Sequence, residues 1–402
     1  MRGRAAAGMS TPGPLNRRGP RPLLLHLTLA MLRSSASIAA STTWNASSAN
    51  SEAAAAIRAA LGAEAAGFPA AVLEEALRQD RALIGGIAAY RRHPYRRDLP
   101  DPPTVWQEGE SRLLDYGGGG RPVLFIPSLV NRAYVLDLAP GHSMLRWLAG
   151  QGLHPLLLDW GWPGEAERRF TLTDYIAGRL ERALAGIGET VVLAGYCMGG
   201  LLALSLAQRR PDRVAALALL ATPWDFHAAG AAQAEALGRM QALLEPAMAL
   251  GEALPVDALQ LLFALLDPFG VAQKYRGFAA LDPDSPRARL FVALEDWLND
   301  GVPLAGPVAR ECLEGWYGRN TPARGEWRVA GLPVDPASLR LPAFVAVPGR
   351  DRIVPPESAR PLAALLAGAV LHQPGAGHIG MAAGSTAEQA LWRPLRDWIA
   401  GL

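Results

Sequence analysis

A single cysteine stands in a segment whose residue types could support nucleophilic chemistry. Cys197 has a glycine two positions to either side, with the apolar run 191–194 before it and the apolar run 201–207 after it. The first run predicts a buried strand and the second a helix, so Cys197 is expected on the tight turn between them. A helix N-terminus favours a thiolate there, and the Met198 N–H could stabilise an oxyanion. The alternative is a buried structural cysteine beside two packing glycines.

A thiol nucleophile needs a base, and the base needs an acid to orient it. Asp351 and His378 follow the last two predicted strands, after Cys197 and in the order nucleophile, acid, base. Both are expected at the carboxyl edge of the sheet, where such a sheet binds its ligand. Asp225, which follows an earlier strand, is an alternative acid. Alternatively, Asp351 only caps its own turn, and His378 is a loop histidine whose hydrogen bonds are made to backbone groups.

An oxyanion site needs a second backbone N–H from the loop after the first core strand. Leu129 or Val130 could supply that amide, and the sequence does not choose between them. The second cysteine, Cys312, falls on a predicted helix and is interpreted as a packing residue.

The alternation of strands and helices predicts an α/β fold with a mostly parallel, doubly wound sheet and a helical cap inserted between strands. The predicted strands are 123–126, 154–158, 191–194, 214–220, 343–347 and 369–372.

The chain is expected to contain four parts. Residues 1–51 are predicted to be a poorly ordered leader, 52–110 a helical segment, 111–225 and 340–402 the core, and 226–339 the cap.

Composition limits the classes of partner. The net charge of +2 over 402 residues is too small to indicate a nucleic-acid partner. Two isolated cysteines indicate neither a disulfide framework nor a metal site, and they favour a reduced, cytoplasmic setting. No stretch is expected to span a membrane. The basic patch and apolar run at 17–32 imitate a signal peptide, but the run begins late, so an amphipathic or loosely docked segment is expected.

Several motifs together resemble the polyhydroxyalkanoate synthases of the α/β-hydrolase superfamily, and the short N-terminal part resembles their two-subunit type. The motifs are Pro-Ser-Leu-Val-Asn at 127–131, Asp-Trp-Gly at 159–161, Gly-Tyr-Cys-Met-Gly-Gly at 195–200, Asp-Trp-Leu-Asn-Asp at 296–300 and Gly-His-Ile-Gly at 377–380.

The resemblance implies a reaction. Cys197 would attack the thioester of a 3-hydroxyacyl-CoA, His378 would accept the thiol proton, and Asp351 would assist. CoA would enter as part of the substrate, with no separate cofactor. The resemblance also implies a cytoplasmic enzyme at a polymer granule surface, a homo-oligomer and a possible second synthase subunit. The alternatives are hydrolysis by the same triad, as in a thioesterase, esterase or depolymerase, and a non-catalytic granule protein.

Overall fold

The computed structural model describes residues 17–42 and 52–402. The parts of the predicted leader at 1–16 and 43–51 lie outside the described residues. The described residues divide into two compact units, one formed by those up to Arg96 with Pro268–Asn299 and the other by Arg97–Asp267 with Asp300–Leu402.

The larger unit is built on an eight-stranded sheet whose central strands are apolar along their whole length, because both of their faces are covered. Its strands are β1 (Thr104–Glu108), β2 (Ser111–Asp115), β3 (Pro122–Ile126), β4 (His154–Asp159), β5 (Val191–Tyr196), β6 (Val214–Leu220), β7 (Ala343–Ala346) and β8 (Val370–His372).

The spatial order of these strands is β1–β2–β4–β3–β5–β6–β7–β8. The six strands β3 to β8 pair in parallel, while β2 pairs antiparallel with both β1 and β4. β5 lies between β3 and β6, with Ala194 opposite both Phe125 and Ala218. The predicted fold class, a mostly parallel sheet with helices, is confirmed.

Helices and short ribbons complete the larger unit. Its helices are Met144–Gly150, Asp174–Leu180 continuing as Glu181–Ala185, Met198–Arg209, Ala231–Gly251, Val256–Ala264, Gly306–Arg310 continuing as Glu311–Gly318, Pro356–Leu365, His378–Ala383, and Glu388–Trp392 continuing as Arg393–Ala400. Single turns of 3₁₀ helix lie at Ala133–Leu136, Glu167–Arg169 and Pro336–Ser338. Two-stranded ribbons pair Asp137–Ala139 with His142–Ser143, Ala253–Leu254 with Leu304–Ala305, and Arg328–Val329 with Leu332–Pro333.

The first two strands correct the sequence prediction, which continued the helical segment to residue 110. The helix Phe68–Arg92 ends before a proline, and β1 and β2 then form a hairpin. Gly109 takes a φ of 55° in the turn between them, a backbone angle that glycine adopts without steric cost. The residues Thr104-Val105-Trp106 are β-branched or aromatic and suit an edge strand.

The smaller unit is helical. Its helices are Leu23–Thr42, Glu52–Leu61, Phe68–Arg92, Gly270–Ala279 and Pro286–Asn299, with a 3₁₀ segment at Gly62–Gly67. Its core contains Leu83 and Tyr90 from the third of these helices, together with Tyr275, Phe278 and Val292. Residues 268–299 were expected to form part of the cap. They belong to this unit because their aromatic side chains pack on the helix Phe68–Arg92.

The helix Leu23–Thr42 contradicts two expectations. It lies within the predicted poorly ordered leader, in which only 17–32 was expected to form an amphipathic or loosely docked segment. Leu23, Leu27 and Ala30 recur at helical spacing and pack on the core of the smaller unit, and the helix continues to Thr42. It also has 20 residues and, by length and composition alone, is long and apolar enough to cross a membrane. The expectation that no stretch has that length and composition is therefore wrong. Buried core helices and signal sequences meet the same criterion.

Candidate active site

The turn after β5 holds Cys197 in a backbone conformation that L-residues rarely adopt. Cys197 has φ 56° and ψ −128° and directly precedes the helix Met198–Arg209. Its N–H donates to the carbonyl of Leu220 (2.8 Å), and its carbonyl accepts from the N–H of Gly200 (2.9 Å). Strained conformations of this kind persist where the surroundings over-determine them, and they are concentrated at functional sites. The predicted strand, turn and helix are all present.

Three glycines around Cys197 have no space for a side chain. A Cβ on Gly195 would lie 2.4 Å from the Gly200 Cα, and a Cβ on Gly199 would lie 2.0 Å from the Ile126 carbonyl oxygen. A Cβ on Gly200 would lie 1.8 Å from the Thr222 Oγ1. Glycine at 195 therefore allows β5 and the helix after Cys197 to lie this close together, and glycine at 199 and 200 allows the helix to approach the ends of β3 and β6.

The structure pairs the predicted base with the predicted acid. The Nδ1 of His378 lies 2.7 Å from the Oδ2 of Asp351, and both side chains are buried. The other carboxylate oxygen, Oδ1, accepts the backbone N–H groups of Ile353 (2.8 Å) and Val354 (2.9 Å). Asp351 therefore caps its own turn and orients the imidazole at the same time, so the two interpretations of this residue are compatible.

His378 also lies within hydrogen-bonding reach of the Cys197 side chain. Burial alone would lower the pKa of His378. The negative charge and hydrogen bond of Cys197, with those of Asp351, outweigh burial and raise this pKa to about 10. The environment of His378 therefore favours a protonated imidazole.

The loop after β3 lies beside this group. Ser128, Val130 and Met198 line the same cavity as Cys197, whereas the Leu129 side chain is buried in the core. The N–H of Val130 donates to the hydroxyl of Ser128 (3.1 Å). The backbone amides of Met198 and of Leu129 or Val130 stay predictions for the oxyanion site.

The comparisons with known proteins agree with this geometry. The family model described as "alpha/beta hydrolase fold" matches residues 121–384. Three similar proteins are named poly(3-hydroxyalkanoate) polymerase subunit PhaC. The one from Haloferax mediterranei is 31% identical, over 74% of this chain and 63% of its own length. Those from Synechocystis and Allochromatium vinosum are 30% and 29% identical, over 69% of this chain in both cases and over 77% and 80% of their own lengths. The chain belongs to the poly(3-hydroxyalkanoate) polymerase family, on the α/β hydrolase fold. This confirms the resemblance inferred from the motifs. The chain spans 63% of the length of the Haloferax relative.

Tyr196, which was not predicted from the sequence to take part in the site, contacts His378. Its hydroxyl donates to the backbone carbonyl of His378 (3.2 Å), and its ring lies 5.1 Å from the imidazole ring, centroid to centroid. Burial raises the pKa of Tyr196, and the charges of Cys197 and Asp351 raise it further, so the hydroxyl stays a neutral donor. The available signal was its position, which is the last residue of β5 at the carboxyl edge.

The Asp-Trp-Gly motif of this polymerase family member supports the loop after β3. The indole Nε1–H of Trp160 donates to the carbonyl of Pro127 (3.1 Å), and its ring packs edge-on against Tyr175. Gly161, with φ 72°, passes so close to the Glu110 carbonyl that a Cβ would lie 2.2 Å from that oxygen. The motif therefore fixes the backbone from which the second oxyanion amide would come.

Asp225, the alternative acid, has other partners. Its Oδ1 accepts the N–H of His227 (3.0 Å) and the side-chain amide of Asn320 (2.8 Å). The Oδ1 of Asn320 in turn accepts the N–H of Phe226 (3.0 Å). Asp225 thus fastens the end of the cap helix Glu311–Gly318 to the loop after β6, and the hydrogen bond to the His378 imidazole comes from Asp351.

Cys312 is buried, which agrees with its interpretation as a packing residue, and it also lines the cavity that contains Cys197. Burial raises the pKa of Cys312, and the charge of Glu311 raises it further, so it is a poor nucleophile. Over residues 17–42 and 52–402, no three His, Cys, Asp or Glu side chains are grouped to hold a metal ion.

Proposed function

We propose that this chain is an acyltransferase that polymerises 3-hydroxyacyl-CoA into polyhydroxyalkanoate through a covalent acyl-enzyme on Cys197. The observation that carries the proposal is the strained Cys197 within reach of His378, whose imidazole is bonded to Asp351 at 2.7 Å. Membership of a family whose relatives are named polymerases supports this reaction over hydrolysis.

The first step exchanges one thioester for another. The sulfur of Cys197 attacks the carbonyl carbon of the substrate thioester, and the thiol proton passes to the Nε2 of His378, because Nδ1 is bonded to Asp351. The oxyanion would be held by the N–H of Met198 and by that of Leu129 or Val130. When the C–S bond to CoA breaks, His378 returns the proton to the CoA sulfur. The acyl group stays on Cys197 as a thioester.

The second step makes the polymer bond. The 3-hydroxyl of another unit attacks the acyl carbonyl on Cys197, forms an ester and releases the cysteine sulfur. The hydroxyl proton passes to His378, directly or with help from Asp351, and then to the released sulfur. A thioester intermediate suits this step because its formation is nearly isoenergetic, and its transfer to an alcohol gives the more stable ester.

Partners and location follow from the same proposal. The substrate is a 3-hydroxyacyl-CoA, and no further cofactor is required. The relatives are named as polymerase subunits, which supports a second synthase subunit for this chain as well. We expect a homo-oligomer in the cytoplasm, at the surface of the polymer granule.

The test measures CoA release from 3-hydroxybutyryl-CoA by the wild-type chain and by Cys197→Ala, with the acyl product analysed and the acylated peptide located by mass spectrometry. We expect release of CoA, insoluble polyester, and acylation of the peptide that contains Cys197, not of that containing Cys312. The substitution should abolish all three.

Free 3-hydroxybutyrate as the only product would instead assign the triad to hydrolysis. Undiminished CoA release by Cys197→Ala would refute the nucleophile. If the chain is inactive alone, the assay is repeated with a second synthase subunit from one of the relatives. Inactivity there too refutes the proposal.

A further inference from the structure

The cavity lined by Cys197 is apolar and is walled by the cap. Leu237 comes from the helix Ala231–Gly251, and Leu259, Leu262 and Phe263 come from the helix Val256–Ala264. Within the described part of the chain, no Asp, Glu, Lys or Arg side chain lines this cavity. The phosphate groups of CoA would lose their hydration there without gaining a partner, so this space suits hydrocarbon.

We infer that this cavity receives the alkyl substituent on carbon 3 of the acyl group and that it favours propyl to pentyl substituents over methyl. The inference rests on the proposed function and names its substrate class as 3-hydroxyacyl groups of six to eight carbons. The acyl carbonyl has to reach Cys197, so the substituent two carbons away enters the cavity that Cys197 borders.

The size of the cavity leads to this preference. It measures about 130 Å³. A dry protein cavity of about 150 Å³ lined by Leu, Ile and Phe holds benzene, a six-carbon molecule. A methyl group would leave most of the space empty, and the lining side chains would lack contacts on that side. A propyl or pentyl group fills it.

Each additional buried methylene should raise kcat/KM about fourfold, from the transfer free energy of one CH₂ group. The step from 3-hydroxybutyryl-CoA to 3-hydroxyhexanoyl-CoA adds two methylenes, which corresponds to about a fifteenfold gain. The gain should stop once the cavity is full.

The experiment measures initial rates of CoA release with 3-hydroxybutyryl-, 3-hydroxyhexanoyl- and 3-hydroxyoctanoyl-CoA. The full chain is used as wild type, as Leu262→Phe and as Leu265→Phe, with a second synthase subunit present if activity requires one. Leu262 lines the cavity, while Leu265, three residues on, is 45% exposed and lies outside its lining. Because both variants gain the same ring, a difference between them reports the loss of cavity volume and not a general effect of phenylalanine.

The inference predicts kcat/KM rising about fifteenfold from four to six carbons in the wild type and in Leu265→Phe, with the rise reduced at least fivefold in Leu262→Phe. A flat or falling series in the wild type would overturn the inference while leaving the proposed function intact. If kcat/KM rises with chain length equally in the wild type and in Leu262→Phe, the alkyl substituent does not bind in this cavity. No CoA release from any of the three substrates would instead refute the proposed function. The wild-type series decides the preference even if Leu262→Phe fails to fold.

Discussion

Replacement of Asp351 by Asn is the most direct test of the proposed base. The Asp351 Oδ2 holds the His378 Nδ1 at 2.7 Å, in a site where the carboxylate is fully buried. Asn would present an N–H₂ group or a neutral oxygen to that nitrogen. With the N–H₂ group facing it, the imidazole must carry its proton on Nε2 and cannot accept one from Cys197. The charge that helps to hold the imidazolium is also lost.

We expect kcat to fall by roughly 10⁴-fold, the loss that the equivalent substitution causes in a serine protease triad. The loss of stability should be moderate, because part of the hydrogen-bonding of the turn is kept. The Asp351 Oδ1 accepts two backbone N–H groups, from Ile353 and Val354, and the Asn carbonyl oxygen can keep both. The charge-assisted bond to His378 is lost, so we expect the free energy of unfolding to fall by roughly 1.5–3 kcal/mol.

The assay is single-turnover CoA release followed by intact-mass detection of the acyl-enzyme, with urea unfolding measured on the same samples. Asp225→Asn is the matched control, because its carbonyl oxygen can still accept from Asn320 and His227. We expect that variant to stay within threefold of the wild type. Retention of more than a tenth of the wild-type rate by Asp351→Asn, or an equal loss in Asp225→Asn, would refute this assignment of base and acid.

Three further predictions concern the same site. Gly200→Ala should lower the free energy of unfolding by roughly 1–3 kcal/mol in urea titrations, because the new Cβ would lie 1.8 Å from the Thr222 Oγ1; an unchanged midpoint would contradict the close packing. Tyr196→Phe removes the hydroxyl that donates to the His378 carbonyl. We expect kcat to fall several-fold, in line with the free energy of one hydrogen bond, with KM and the unfolding midpoint nearly unchanged. A change in KM alone would argue against a positioning role. The pKa of His378 is raised from 6.5 to about 10, so the native state binds this proton more tightly than the unfolded state. The resulting stabilisation is fully present below pH 6.5 and is lost as the pH rises to about 10. Cys197→Ala, which removes the first group that raises this pKa, should show a shallower decline between those pH values when unfolding is measured against pH; parallel curves would contradict the pairing.

The sequence was sufficient for the parts of this fold that local pattern determines. The strands from β3 to β7 are apolar along most of their length, so their positions are visible as short apolar runs. The Gly-x-Cys-x-Gly turn lies between a strand and a helix as predicted. Asp351 and His378 could be proposed from their positions after β7 and β8, since the carboxyl ends of parallel strands share one edge.

Long-range packing was not predictable in the same way. Residues 268–299 have the same helical pattern as the rest of the cap, but Tyr275 and Phe278 pack with Tyr90, almost two hundred positions earlier in the chain. The helix Leu23–Thr42 is rich in Ala and Ser, and its stability depends on the partners of Leu27 and Ala30. The choice between Leu129 and Val130 depends on the direction of a backbone N–H, which side-chain identity does not encode.

The two aspartates show what distinguishes an orienting acid from a structural one at the same sheet edge. Asp225 and Asp351 follow neighbouring strands, β6 and β7, so sequence position alone favours neither. The Asp225 Oδ1 accepts from Asn320, whose own side-chain oxygen accepts the N–H of the next residue, Phe226, so this oxygen joins the cap to the core. Asp351 satisfies its turn with one oxygen and keeps the other for His378. Both aspartates hold their own loops through Oδ1 alone, so the orienting acid is distinguished by where its second oxygen lies: the Asp351 Oδ2 is 2.7 Å from the His378 Nδ1.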